Sequence, residues 1–313
     1  MNSKILLLFI LLFLVSISYM SCDRQPTSPE TTGQVNLHFE IAGRQLNGNT
    51  YLMKPAHSFT RVVIEVYSSS DAVSVSSIAQ TPVARLEVAL SASDTEFEGK
   101  LLVPAGEKQL LVAKLYENRG ESELTSIAND EVISFYGRQN VTVEAGAVVE
   151  ARIELLPAPI KNERVVIHVG SVEAQRDTSA KYLPISVANL DSIRGIQLDL
   201  IFETTPSMFS TISVRKTARS QAFSNIDFNV LNTEDFQVRI LMYDRTEGAA
   251  LLPLKDASAS PGAVAELGFR IASSIQPVAS PTISVKAGSA FVTTDPMVPL
   301  EVWVVDGEIN LSN

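Results

Sequence analysis

Apolar and polar residues alternate one by one along most of the chain. Short runs rich in Val, Ile, Thr, Phe and Tyr recur between turn residues at a spacing of roughly 8 to 12, which predicts strands in both halves and an all-β fold of two sandwiches. No stretch of ~12 residues carries the 3.6-residue period of an amphipathic helix. In the run RGIQLDLIFE, Ile196, Leu198, Leu200 and Phe202 share one face, and Gly195, Gln197, Asp199, Ile201 and Glu203 share the other. In FQVRILMY, Phe236, Val238, Ile240 and Met242 read as core, and Gln237, Arg239, Leu241 and Tyr243 face outward. The strand around QLLVAKL is apolar on both faces, with Leu110 and Val112 on one side and Leu111, Ala113 and Leu115 on the other. It reads as a central strand, joined to the strand before it by the turn Pro104-Ala105-Gly106.

The pattern breaks at two places. Near residue 157 the motif Pro157-Ala158-Pro159 separates one strand run from the next. X-Pro steps remove ladder donors, so pairing is expected to stop there and a domain boundary to fall there. This gives a first domain at 34–157 and a second at 160–313, with no internal repeat relating them. Near the beginning, residues 5–17 (ILLLFILLFLVSI) follow Lys4 and carry no charge. That is the length of a signal-peptide core and short of the ~20 residues that span a bilayer. Small residues and Cys22 follow, then DRQPTSPETTG, which cannot bury apolar surface and reads as a tether. The segment resembles the lipobox of bacterial lipoproteins, with Ser21 before the cysteine and Tyr19 where that family most often has Leu. The resemblance implies cleavage after residue 21, acylation of Cys22, and a lipid-anchored protein of the bacterial cell envelope facing the periplasm or the outside. Residues 22–33 then hold the folded part away from the membrane.

Composition narrows the chemistry. The chain has 35 acidic against 25 basic residues, a net charge of −10, and no basic run, so nucleic acid is a poor partner. A single cysteine excludes an internal disulfide. The three histidines, His38, His57 and His168, are scattered, and none has zinc-motif spacing. No nucleophile elbow, phosphate loop or calcium loop occurs. The acidic turns at 244–248 and 293–297 read as solvated. Trp303, the one tryptophan, lies with Glu301 and Val305 on one face of its strand, and core packing is the expected fate of such a residue. These features argue against an enzyme and call for no cofactor or resident metal.

The order of strands in the second half carries a resemblance. RVVIHVGSV is followed by PISVAN…IRGIQLDLIFE, then FQVRILMY, then GAVAELGFRI after a Gly-containing turn, and last DGEINL. This order resembles the cohesin domain, a nine-stranded jelly roll. The resemblance implies non-catalytic docking of a dockerin module on a secreted protein, as in polysaccharide degradation, with any calcium contributed mainly by that partner. It also implies which face is used: Ile201, Leu241 and Tyr243 as apolar anchors, with Gln197, Asp199 and Arg239 as the polar rim. Many cohesins carry Asn and Asp where this chain has Gly195 and Gln197. The first half, with QVNLHFEIAG, RVVIEVYSS and VTVEAGAVVEARIEL, is similar to immunoglobulin-like or fibronectin-like modules, and its last segment is expected to form a hairpin. A spacer role follows. Direct binding of polysaccharide and a purely structural envelope role remain the alternatives.

Overall fold

The computed structural model describes residues 31–40, 59–68, 81–91, 94, 96–118, 131–175, 179–204, 208–221, 223–232, 236–243, 251–254, 261–272, 281–285, 291–294 and 300–311. The expected leader, Cys22 and the tether up to residue 30 lie outside the described residues. So do His57, the turn at 244–248 and residues 295–297. The described elements are strands, and none is an α-helix.

The first sandwich holds β1 (Thr32–Glu40), β2 (Phe59–Tyr67), β3 (Ala84–Ala89), β4 (Glu96–Pro104), β5 (Gly106–Asn118), β6 (Glu131–Val143), β7 (Val148–Arg152) and β8 (Leu156–Pro157). Its sheets run β4-β1-β7 and β3-β2-β5-β6-β8. Alternation decides what lies between them: Val35, Leu37 and Phe39 from one sheet meet Val62, Ile64, Val66, Leu111, Ala113 and Leu115 from the other. The two-faced apolar strand β5 is central, as its pattern requires, and Leu110 and Val112 form a small separate cluster with Tyr67 on its other face.

Two sequence expectations need correction. The hairpin expected at 141–155 does not form, because β6 and β7 belong to different sheets and β7 pairs parallel with β1. The start of β1 captures the turn between them: Gly146 N donates to Thr32 O, and Gln34 N donates to Ala147 O, each at 2.8 Å. Gly146 has φ 73°, a left-handed conformation that suits glycine. Pairing also continues into the first proline of the boundary, where Pro157 lies opposite Phe135. Strand β8 is a sheet edge, so the missing N–H of Pro157 costs no ladder bond.

The second sandwich holds β9 (Arg164–Val169), β10 (Ser171–Ala174), β11 (Lys181–Ala188), β12 (Ile193–Phe202), β13 (Phe209–Lys216), β14 (Asn225–Asn232), β15 (Phe236–Tyr243), β16 (Ala263–Ile271), β17 (Thr282–Val285), β18 (Phe291–Thr294), β19 (Glu301–Val305) and β20 (Gly307–Leu311). Among these segments β9 continues as β10 and β19 continues as β20, and β17 and β18 both pair with β12. One sheet runs β10-β20-β17-β12-β15-β14 and the other β13-β16-β11-β9-β19. The first and last runs therefore cross together from one sheet to the other, parallel on both sides of the crossing. A Cβ on Gly307 would stand 2.2 Å from Gly170 O, so this crossing needs glycine. Phe202, Phe209, Phe236 and Phe269 join the sheets at one end, with neighbouring ring centroids 5.0 to 5.5 Å apart. Rings at this spacing add ~0.5 to 1.5 kcal/mol per pair beyond their buried area.

Candidate functional site

Three strands build one broad outer face. β12 and β15 pair antiparallel over their length, which sets Gly195 opposite Tyr243, Gln197 opposite Leu241, Asp199 opposite Arg239 and Ile201 opposite Gln237. β14 continues each row with Asn225, Asp227, Asn229 and Leu231. On the far side of β12, Ile201 pairs with Ser284, and Gln197 with Phe291. All six candidate residues, Gln197, Asp199, Ile201, Arg239, Leu241 and Tyr243, thus lie in adjacent rows. The alternate set, Phe236, Val238, Ile240 and Met242, is buried beneath.

The face is uneven in exposure. Gln197, Ile201, Leu241 and Tyr243 are half-buried and Arg239 is exposed. Asp199, expected at a polar rim, is only 2% exposed. Its two carboxylate oxygens accept from Nε and an Nη of Arg239, both at 2.6 Å. This fork matches the planar guanidinium to the carboxylate and supplies the partners a buried charge requires. Hydrogen bonding to Asp199 and its negative charge raise the Arg239 pKa. Tyr243 Oη donates to Asp227 at 3.3 Å. Gln237 is 4% exposed, and its buried side-chain oxygen has no hydrogen-bond partner among the described residues. Sequence reasoning did not select Asp227, Asn229 or Leu231. The signal was present, because NIDFNVLN, just before FQVRILMY, alternates with period 2.

Catalytic groupings are not evident among the described residues. No group of three or more His, Cys, Asp or Glu among them is arranged to hold a metal ion. His38 is partly exposed, 3.8 Å from Glu98. His168 is enclosed, its Nε2 has no partner among the described residues, and burial pushes its pKa down to about 4. Trp303 does not join its own sandwich's core. It packs against the core of the first sandwich, with its ring 6.2 Å from that of Phe135. Tyr182, 39% exposed, carries the Arg215 guanidinium 3.6 Å from its ring centroid.

No family model matches the chain, and no curated protein sequence matches it. Solved structures that match about half of it include cohesin domains. One, from a type I cohesin–dockerin complex of Clostridium thermocellum, is 14% identical and covers 48% of this chain and 100% of its own, with TM-score 0.39. A cohesin of Clostridium acetobutylicum is 19% identical over 50% of this chain and 96% of its own, with TM-score 0.38. A non-cellulosomal cohesin of Archaeoglobus fulgidus is 17% identical over 48% of this chain and 92% of its own, with TM-score 0.35. The fold described above stands on its own strand pairings.

Proposed function

We propose that this chain is a non-catalytic docking protein whose β12–β15–β14 face receives a dockerin-like helical module of a secreted protein, in the service of polysaccharide degradation. The composition of that face carries the reading. Half-buried Ile201, Leu241 and Tyr243 stand among neutral amides and the one acid Asp227, and the central charge pair is already self-compensated. Protein interfaces are depleted in uncompensated charge at their centre and gather apolar and aromatic anchors there. A sheet face of this kind suits the side of a helix better than a small substrate, which calls for a concave site. The same proposal takes Cys22 as the acylated residue and the bacterial cell envelope as the location.

Binding of purified, calcium-loaded dockerin modules to the full chain in detergent, by titration calorimetry, tests the docking step. Saturable binding that a calcium chelator abolishes is expected. Retention on insoluble polysaccharide with no dockerin binding would replace this reading with direct glycan recognition. For the anchor, Cys22→Ala is expected to abolish labelling by a fatty-acid analogue and to release the protein from the membrane fraction. Labelling that survives the change contradicts it.

A further inference from the structure

Arg164, the first residue of β9, is 2% exposed and is the largest fully buried side chain described. Burying a guanidinium is costly unless it is fully engaged. Part of that engagement comes from the other sandwich. Nε donates to Ala158 O at 2.9 Å, and an Nη donates to Ser134 O, on β6, at 3.1 Å. The guanidinium carbon lies 3.8 Å from the ring centroid of Trp303. Trp303 sits on β19, beside β9, with its backbone in register with Val166. It also meets the Phe135 ring and packs on the first sandwich's core. A cation held against an indole face is attracted by the negative face of the ring.

The surroundings close the joint. Tyr136 of β6 and Ala158 form a buried cluster, with Ile133 and Leu190 packed on it, and Leu190 belongs to the turn after β11. Pro157, Ala158, Pro159 and Ile160 are all buried. Ile160 exchanges backbone hydrogen bonds with Arg164, at 2.8 and 2.9 Å. Asn162, at φ 59°, donates its N–H to Asp191 in the turn before β12. Glu301 N donates to Glu163 O at 2.8 Å and ties in the last run. Relative motion is the ordinary expectation for linked domains unless the contact is large and apolar. Here the connecting segment is itself part of a core.

We propose that this joint, with Arg164 clamped between Trp303 and β6, fuses the two sandwiches into one cooperative unit, so that the β12–β15–β14 face keeps a single orientation relative to the first sandwich. The proposal is independent of what that face binds. Trp303 is the one tryptophan of the chain, so emission excited selectively at tryptophan reports from the joint. The experiment is urea unfolding of the full chain in detergent, followed by Trp303 emission and by far-ultraviolet circular dichroism. Wild type should give coincident transitions, and acrylamide should quench Trp303 weakly in the absence of urea. Arg164→Met and Leu190→Asp should each move the Trp303 transition to lower urea, ahead of the loss of strand signal. Leu190 is only partly buried, so its variant remains informative if Arg164→Met does not fold. A wild-type Trp303 that reaches water-like emission ahead of the strand signal would overturn the proposal. So would a Leu190→Asp protein whose two transitions both stay where the wild type's are.

Discussion

The outer faces of the two sandwiches are built from the same alternation and end with opposite surfaces. On the first, Arg61 reaches Glu131 at 2.8 Å and also pairs with Glu87, at 2.5 Å. Arg85 meets Glu87 at 2.6 Å, Lys114 meets Glu65 at 2.8 Å, and the Tyr67 hydroxyl donates to Glu65 at 2.7 Å. The Arg61 guanidinium also covers the Tyr116 ring, 4.2 Å from its centroid. Under this lattice Val63, Leu110 and Val112 are buried. Here the apolar groups are covered and the charges answer one another within the sheet. On the second, the β12–β15–β14 rows carry one forked pair, the acid Asp227 and, past the end of β12, the exposed acid Glu203, while Ile201, Leu241 and Tyr243 stay half open. A charge lattice holds its water, and an apolar and amide face releases it on contact. That difference is the physical reason for assigning recognition to the second face.

The largest effect is expected from Arg239→Met, which leaves the nearly buried Asp199 carboxylate uncompensated, whereas Asp199→Asn leaves a cation that solvent can reach. Thermal unfolding should therefore show the Arg239 variant well below the Asp199 variant. Equal midpoints would mean that Asp199 is better hydrated than its enclosure implies.

Acid should reach the two sandwiches at different pH. His168 is held neutral in the folded state, with a pKa near 4 against an ordinary value of 6.5. Its contribution is therefore complete above pH 6.5 and is lost as pH falls toward 4. The loss is roughly 3 kcal/mol, because each tenfold change in proton affinity is worth ~1.36 kcal/mol. For Glu65, burial raises the pKa, but hydrogen bonds from Lys114 and Tyr67 overcome it and hold the carboxyl below its ordinary 4.5. Its contribution is present above pH 4.5 and fades as pH drops through the lowered value. Urea midpoints measured from pH 7 to pH 3 should lose their upper slope in His168→Leu and their lower slope in Glu65→Gln. A wild-type profile flat between pH 6.5 and 4.5 would contradict the enclosure of His168.

Smaller effects sharpen the contrast. Glu87→Gln, on an exposed ion-pair network, should cost about 0.5 kcal/mol in urea unfolding and leave partner binding untouched. Gly195→Asn should fold with little change in Tm, since a Cβ there meets nothing closer than 3.4 Å, at Thr293 Oγ1. A large loss would show that this corner of the face is tighter than its backbone suggests.

The faces of β12 and β15 were legible in the sequence because period-2 alternation is local: residues 196 to 202 and 236 to 242 declare their core side within one strand. The fork between Asp199 and Arg239 was not, since it depends on register between strands far apart in the chain. The joint was less legible still. Trp303 reads as a core residue of its own strand, and only the arrival of Phe135 and Arg164 shows that it serves the boundary instead. Likewise Pro157-Ala158-Pro159 reads as a break, and burial turns it into packing. The missing hairpin has the same cause, a third strand, β1, taking the hydrogen bonds that local sequence assigned to β6 and β7.

The most direct test of the recognition face is dockerin binding by the full chain carrying Leu241→Asp, measured beside Glu87→Gln with folding checked by circular dichroism. The Leu241 variant is expected to stay folded and to lose binding by about 100-fold, as when an interface anchor is charged, while Glu87→Gln binds like wild type. Undiminished binding by the folded Leu241→Asp protein would contradict the assignment of this face.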